Sequence, residues 1–456
     1  MSDTLLLWLF GLLMIGFLPA CQQIQPQVLP TLNPVAEIDL QATPLPAAIN
    51  EIAPLVGEVM AEETDVTMDQ GKEIVISVWH TWQGPAAEAL TAVIAAYEAA
   101  HPDTRLELIF QDSLLETVQT AVPAGEGPDL LIMTADPIGR FAADHLLSPV
   151  SPYFDPTYLT NNFTTPAAAA MTWQDEVWGL PLLQEGIALI YNPALLENGA
   201  LPKDGTDFAA LLTSAQTFHA AHPDSYLFCN ESLSATSLDA YHSAPIFFGF
   251  GGPEETGYID DWGTVRINTP ERLAAANWLQ ELAPAVPVEV GYEICLDGFQ
   301  SGKFAAWWTG PWSLDALREA GTAYAVQGFG RPYVHVTGLF LGANAPDRQH
   351  DTAAAEFMAY WASAPVQTRL ALAAGAVPAS RAALQSPEVQ ANQETTAFAA
   401  ALTDGIPFPT TPYVNAQWEP LAQATTAILG GEQLPAEALA NAQTAVEQAI
   451  NDMKEQ

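Results

Sequence analysis

The feature that most constrains this chain is a run of strand and helix patterns that begins abruptly at Glu73. "EIVISVW", Glu73 to Trp79, alternates and is rich in β-branched residues, which predicts a strand. "GPAAEALTAVIAAYEAAHP" follows. Pro85 suits a helix start, Leu90, Val93, Ile94 and Tyr97 fall on one helical stripe, and Pro102 lies just past the end. "RLELIF" predicts a second strand with Leu106, Leu108 and Phe110 on one face. A second helix from 112 to about 122 leads into "PDLLIM", an apolar run typical of a strand buried on both faces. Strand–helix–strand–helix–strand is most economically a parallel sheet covered by helices. In open α/β sheets ligands sit beyond the carboxyl ends of the strands. That rule directs attention to His80, Thr81, Trp82 and Gln83 past the first strand, and to Thr134, Ala135 and Asp136 past the third.

Further along, "GLPLLQEGIALIYNPALL" predicts a strand over Ile187 to Tyr191, with Asn192-Pro193 opening a helix. "FQSGKFAAWWTGPW" reads as a helix end, a glycine break, a strand at 303–308 and a sharp turn. The tail after Ala379 is rich in Ala, Gln and Glu and is expected to be largely helical. Two successive α/β blocks in 456 residues suggest two lobes facing across a cleft.

The segment before Glu73 is of another kind. Leu5 to Ala20, "LLLWLFGLLMIGFLPA", is an uncharged 16-residue apolar run, shorter than the ~20 residues of a spanning helix. It ends in Leu18-Pro19-Ala20-Cys21, which resembles a bacterial lipobox: residues 1–20 as a cleaved signal and Cys21 as the lipid-bearing terminus. No Lys or Arg precedes the run, and an uncleaved anchor helix is the alternative; either places the working part outside the cytoplasm. Residues 21–72 carry proline and acids with little periodicity, as a flexible tether would.

The chain has 53 acidic and 13 basic residues, a formal net charge of −40. Such a surface repels phosphate backbones and anionic headgroups, which argues against nucleic-acid and polybasic membrane binding. Cys229 and Cys295 would share a disulfide-permissive compartment and can bridge if the fold brings them together. The cysteines lack clustered histidines and the eight histidines show no i,i+4 metal spacing, so no metal site and no cofactor are expected, and the histidines read as structural.

Five motifs in order resemble the extracellular solute-binding proteins of ABC importers, specifically the maltose-binding-like group. They are "AAYEAAHPDTRLELI", "GEGPDLLIMTADPIGRFAADHLLSPV", "GLPLLQEGIALIYNPALL", "FQSGKFAAWWTGPW" and "AAAEFMAYWASAPVQTRLALAAGAVPAS". The resemblance implies a two-lobed periplasmic-binding-protein-like α/β fold with three interlobe crossovers and hinge closure. It places the N-lobe at 73–182 plus 334–377 and the C-lobe at 185–330 plus 380–456. It also implies a monomeric, non-enzymatic lipoprotein that gives its sugar to a permease.

A sugar offers hydroxyls and apolar C–H faces, so its site needs charged acceptors and flat rings. Glu185 sits in the apolar run "PLLQEGIALI", where an unpaired charge is costly to bury; it is either a ligand contact or a crossover residue satisfied by backbone donors. Asp136 matches the family's sugar-binding aspartate, although Pro137 stands where maltose binders carry a basic residue; capping the helix near Ile138 is its other reading. Trp82 and Gln83 match a sugar-contacting loop, Asp239 and Tyr241 an acid–aromatic pair on the far lobe. Trp312 matches the ring of the Gly-Pro-Trp turn and Trp418 a second stacking ring. Of Trp307 and Trp308, strand alternation sends one to the core. The same fold could instead hold a polyamine or quaternary amine in an aromatic cage. Two carboxylates across a cleft could in principle cleave glycosides.

Overall fold

A computed structural model describes residues 73–196, 201–233, 239–252 and 254–455. The expected signal, the lipidation residue Cys21 and the tether over 21–72 lie outside the described residues. Among the described residues no helix is long and apolar enough to cross a membrane.

The opening pattern folds as its periodicity predicts. Strand β1 (Ile74–His80) is followed by helix α1 (Gly84–Ala100), β2 (Thr104–Phe110), α2 (Leu114–Ala121) and β3 (Leu130–Thr134). Pro85 occupies the first turn of α1, and Leu90, Val93, Ile94 and Tyr97 form its buried stripe. β1 pairs in parallel with both β2 and β3. One expectation fails at β2, where Phe110 is 45% exposed and only Leu106 of the predicted face is buried. β2 is the edge of the sheet, so its outer rows have no strand beside them.

The sheet grows to eight strands by four antiparallel additions, β4 (Leu147–Ser148), β5 (Gly179–Glu185), β10 (Tyr333–Gly342) and β11 (Val377–Pro378), and one parallel addition, β12 (Ile406–Pro407). β10 pairs antiparallel with β3 and β5 and in parallel with β12, so the sheet is mixed. A second sheet has four strands in the order β9-β6-β8-β7, formed by β6 (Ala188–Tyr191), β7 (Tyr226–Asn230), β8 (Phe304–Thr309) and β9 (Ala325–Gln327). The chain passes between sheets from β5 to β6 and from β9 to β10, through two and five residues. No helix opens at Asn192-Pro193. Asn192 Oδ1 instead accepts from Ala194 N at 2.9 Å, closing a turn, because a short Asn side chain competes well with helix initiation. The tail is helical as expected, through Gln393–Leu402, Trp418–Leu429 and Pro435–Lys454 among others.

Two hydrophobic cores form, and the four-stranded sheet contributes to both. Trp307 and Trp308 project to opposite sides of β8, Trp307 into the first core and Trp308 into the second. Both are 0% exposed, so both rings are core rather than one. Trp308 stacks on Phe329 at 4.0 Å and on Phe228 at 4.6 Å. Burying each such side chain contributes about 1.5–3 kcal/mol. Cys229 on β7 is disulfide-bonded to Cys295 in helix α3 (Tyr292–Gln300), with Cα atoms 5.6 Å apart.

Candidate functional site

Strand register builds the first half of the site. β10 lies between β3 and β5, with Thr337 opposite Thr134 and His335 opposite Glu185. Ala135 N donates to Val336 O at 2.8 Å, which carries the pairing past the end of β3 and sets Asp136 beside His335. Asp136, His335 and Glu185 therefore form a row across three neighbouring segments. His335 Nδ1 is 3.4 Å from Asp136 Oδ1. Burial alone would lower the His335 pKa, yet the Asp136 and Glu185 charges raise it above its ordinary value. Burial pushes the Glu185 carboxyl up; His335 pulls it down and Asp136 pushes it further up. Glu185 is thus a buried carboxyl on which the His335 imidazole and the Asp136 carboxylate act in opposite directions.

Aromatic rings wall this row. The His335 imidazole stacks on Phe408 at 3.9 Å, and Phe408 stacks on Trp418 at 5.7 Å. The Tyr241 ring is 5.4 Å from His335 and 6.4 Å from Tyr333. Tyr241 Oη is buried without a hydrogen-bond partner among the described residues. Its pKa is raised by burial and then by the charges of Glu185, Asp136 and Asp239, and its ring lies 5.4 Å from both His335 and His242, where the two halves of the site meet.

The second half is made by a loop following β7. His242 Nδ1 is 2.6 Å from Asp239 Oδ2, and its Nε2 is 3.3 Å from Glu231 Oε2. Asp239 also accepts from the backbone N–H of His242 and from Ser232 Oγ, both at 3.1 Å. Asn230 ties the loop ends by donating to His242 O at 2.8 Å and accepting from Ser232 N at 2.7 Å. Burial would raise Asp239, but His242 and these donors hold it at about 2. Burial would lower His242, but Asp239 and Glu231 hold it at about 9. Glu231 is pushed up by burial against the pull of His242. Donor atoms of Glu231, Asp239 and His242 lie within 4.8 Å of one another, a set able in principle to take a cation. The two imidazole nitrogens face different carboxylates, however, which is the arrangement of an ion-paired imidazolium and not of a single metal centre.

Trp312 stands edge-on to this cluster, its ring 6.3 Å from His242 and at 86° to it. The Gly-Pro-Trp sequence is explained by close approach. A Cβ on Gly310 would lie 2.1 Å from Cζ3 of Trp312, so the indole folds back over the glycine. Pro311–Ser313 form a single 3₁₀ turn, closed by a 2.9 Å hydrogen bond between Thr309 Oγ1 and Ser313 Oγ. Trp312 is half-buried against the second core, as are Tyr241 and Trp418.

Of the sequence-predicted residues, Asp136, Glu185, Asp239, Tyr241, Trp312 and Trp418 fall into this connected network. Trp82 is 8% exposed and stacks on Trp361 at 6.1 Å within the first core. Gln83 is exposed at the N-terminus of α1. Sequence reasoning missed His335, His242, Glu231 and Phe408. Glu231 was accessible by the rule that found Asp136, since it follows a strand's carboxyl end. His335 was signalled by a titratable residue inside the otherwise apolar "YVHVTGLFLG".

Residues 92–397 match the family described as bacterial extracellular solute-binding protein. The chain belongs to that family. It is similar to the maltotriose-binding protein of Pyrococcus abyssi, 25% identical over 78% of this chain and 77% of the relative. It is also similar to the galactooligosaccharide-binding protein of Bacillus subtilis, 23% identical over 81% and 87%. Among solved structures, a cyclo/maltodextrin-binding protein complexed with maltotetraose superposes with a TM-score of 0.73 at 24% identity, over 85% of this chain and all of that one. A maltose-binding periplasmic protein from Listeria monocytogenes gives 0.70 at 19% identity, over 83% and 98%. The fold of this solute-binding protein is the two-lobed α/β fold of those proteins.

Proposed function

We propose that this protein is the extracytoplasmic binding component of an ABC importer, closing two lobes over an oligosaccharide and delivering it to a membrane permease. The observation that carries this reading is the meeting of carboxyls and half-buried rings from both sheets around Tyr241 and His335. Asp136 and Glu185 come from the eight-stranded sheet, while Tyr241 and Trp312 come from segments packed on the second core. Carboxylates accept from hydroxyls, and indole faces cover C–H patches. A ligand that bridges both sets is held more tightly in the closed form, and that difference is what drives closure. Asp239 acts through His242 and Trp82 through packing; direct contact falls to Asp136, Glu185, Tyr241, Trp312 and Trp418. The relatives named for binding malto- and galacto-oligosaccharides support the ligand class. Export with a lipid on Cys21, the tether and transient permease docking complete the proposed role, which is binding without turnover.

The test is a thermal-shift screen of malto- and galacto-oligosaccharides. A ligand at 100-fold over its Kd adds about 2.7 kcal/mol of stability. Trp312→Ala is expected to remove that shift while leaving the unliganded Tm within a few degrees. A variant that no longer folds would make the ring a core element and withdraw it from the site.

A further inference from the structure

The candidate site carries more acid than a neutral polyol requires. Four carboxyls, from Asp136, Glu185, Glu231 and Asp239, surround two imidazoles, His335 and His242. With both imidazoles protonated the set still carries two surplus negative charges when all four acids are ionised. The surplus is unevenly placed. Asp239 is taken up by His242 and Ser232. Asp136 reaches its imidazole only at 3.4 Å, and Glu185 sits opposite that same imidazole in the strand register. The Tyr241 ring is 5.4 Å from that imidazole, and its phenol oxygen is buried without a partner among the described residues, an acceptor as well as a donor. Flanking the group are the faces of Phe408 and Trp418. A neutral hydroxyl would satisfy the lone pairs and leave the charge uncompensated; an ammonium would satisfy both, because charge-assisted bonds are roughly twice as strong.

We propose that the cleft selects oligosaccharides bearing a protonated amino group, with the ammonium seated between Asp136 and Glu185 beside Tyr241 Oη. This rests on the oligosaccharide reading above and adds the charge of the ligand to it. The raised position of the Glu185 carboxyl fits, since a ligand cation would supply the compensation that His335 alone does not.

Isothermal titration of the full chain with four probes tests it: a glucosamine trimer, its N-acetylated counterpart, maltotriose and spermidine. The expected result is a glucosamine trimer bound at least about tenfold tighter than either neutral trimer, a difference of about 1.4 kcal/mol. Glu185→Gln should reduce that ratio to near one. Because the variant could fold poorly, the wild-type protein supplies a second readout. Its affinity for the amino trimer should fall between about 0.05 and 0.5 M salt while neutral trimers hold constant, as screening weakens only the ion pair. Neutral trimers binding as tightly, with flat salt dependence, would overturn this inference and leave the oligosaccharide reading standing. Binding of spermidine alone, or of none of the saccharides, would overturn both.

Discussion

Two imidazoles in this protein each face a pair of carboxyls, and the two clusters are built by different means. The His242 cluster is made within one short stretch of chain, where Asn230, Ser232 and Asp239 cross-link the loop through bonds of 2.6 to 3.1 Å. The His335 cluster is assembled from three distant parts of the sequence by strand register, and its closest carboxylate contact is 3.4 Å. Local closure gives a saturated ion pair, with Asp239 held at about 2 and His242 at about 9. Register gives a row of groups at fixed spacing whose hydrogen-bonding capacity is not used up. The first suits a scaffold for Trp312, and the second suits a ligand.

The contrast can be broken most directly at His242. His242→Leu leaves Asp239 and Glu231 facing each other without a cation, and breaking such a buried pair costs about 3 kcal/mol; chemical denaturation should show it as a lower midpoint. Gly310→Ala is next. The new methyl would drive Trp312 off its seat, with a cost of about 1–3 kcal/mol for overpacking and a matching loss of ligand-induced thermal shift. His335→Gln should cost stability less, about 1 kcal/mol, because its carboxylate partner is 31% exposed. It should nonetheless weaken ligand binding, which titration calorimetry reads separately. Should His335→Gln destabilise the protein more than His242→Leu, the assignment of scaffold and ligand sides is reversed.

The same ion pair can be read through pH dependence. His242 rises from 6.5 to about 9 on folding, so its contribution is complete below about 6.5 and is lost as pH climbs through about 9. Asp239 falls from 3.8 to about 2, so its contribution is present above 3.8 and disappears as pH drops through about 2. The Tm of the wild-type protein should therefore decline more steeply between pH 7 and 10 than that of His242→Gln. Parallel curves would remove the ion pair from the account.

Much of the first sheet was legible because its signals are local. The stripe Leu90, Val93, Ile94, Tyr97 and the apolar run before Thr134 are periodicities that the chain cannot satisfy in many ways. Phe110 was misplaced because edge position is a property of the whole sheet, and no window of sequence reports it. Asp136 and Glu185 were found by their places at strand ends and in an apolar run. Asp239 was singled out as a ligand contact, and its carboxyl hydrogen-bonds His242 and Ser232. His335 was passed over because its value lies in neighbours 199 and 150 positions earlier in the chain, Asp136 and Glu185.

The sequence by itself determined the α/β alternation, the buried stripe of α1, the tight turn at Gly310-Pro311 and the kinds of residue available to a ligand, since each follows from backbone sterics or from hydrophobic period. Tertiary structure decided that both Trp307 and Trp308 are core, that Cys229 meets Cys295, and which acids keep spare capacity. Those outcomes depend on distances between residues far apart along the chain, set by strand order and by packing between helices and sheets, and hydrogen-bond and Coulomb terms change sign of consequence over a few ångströms.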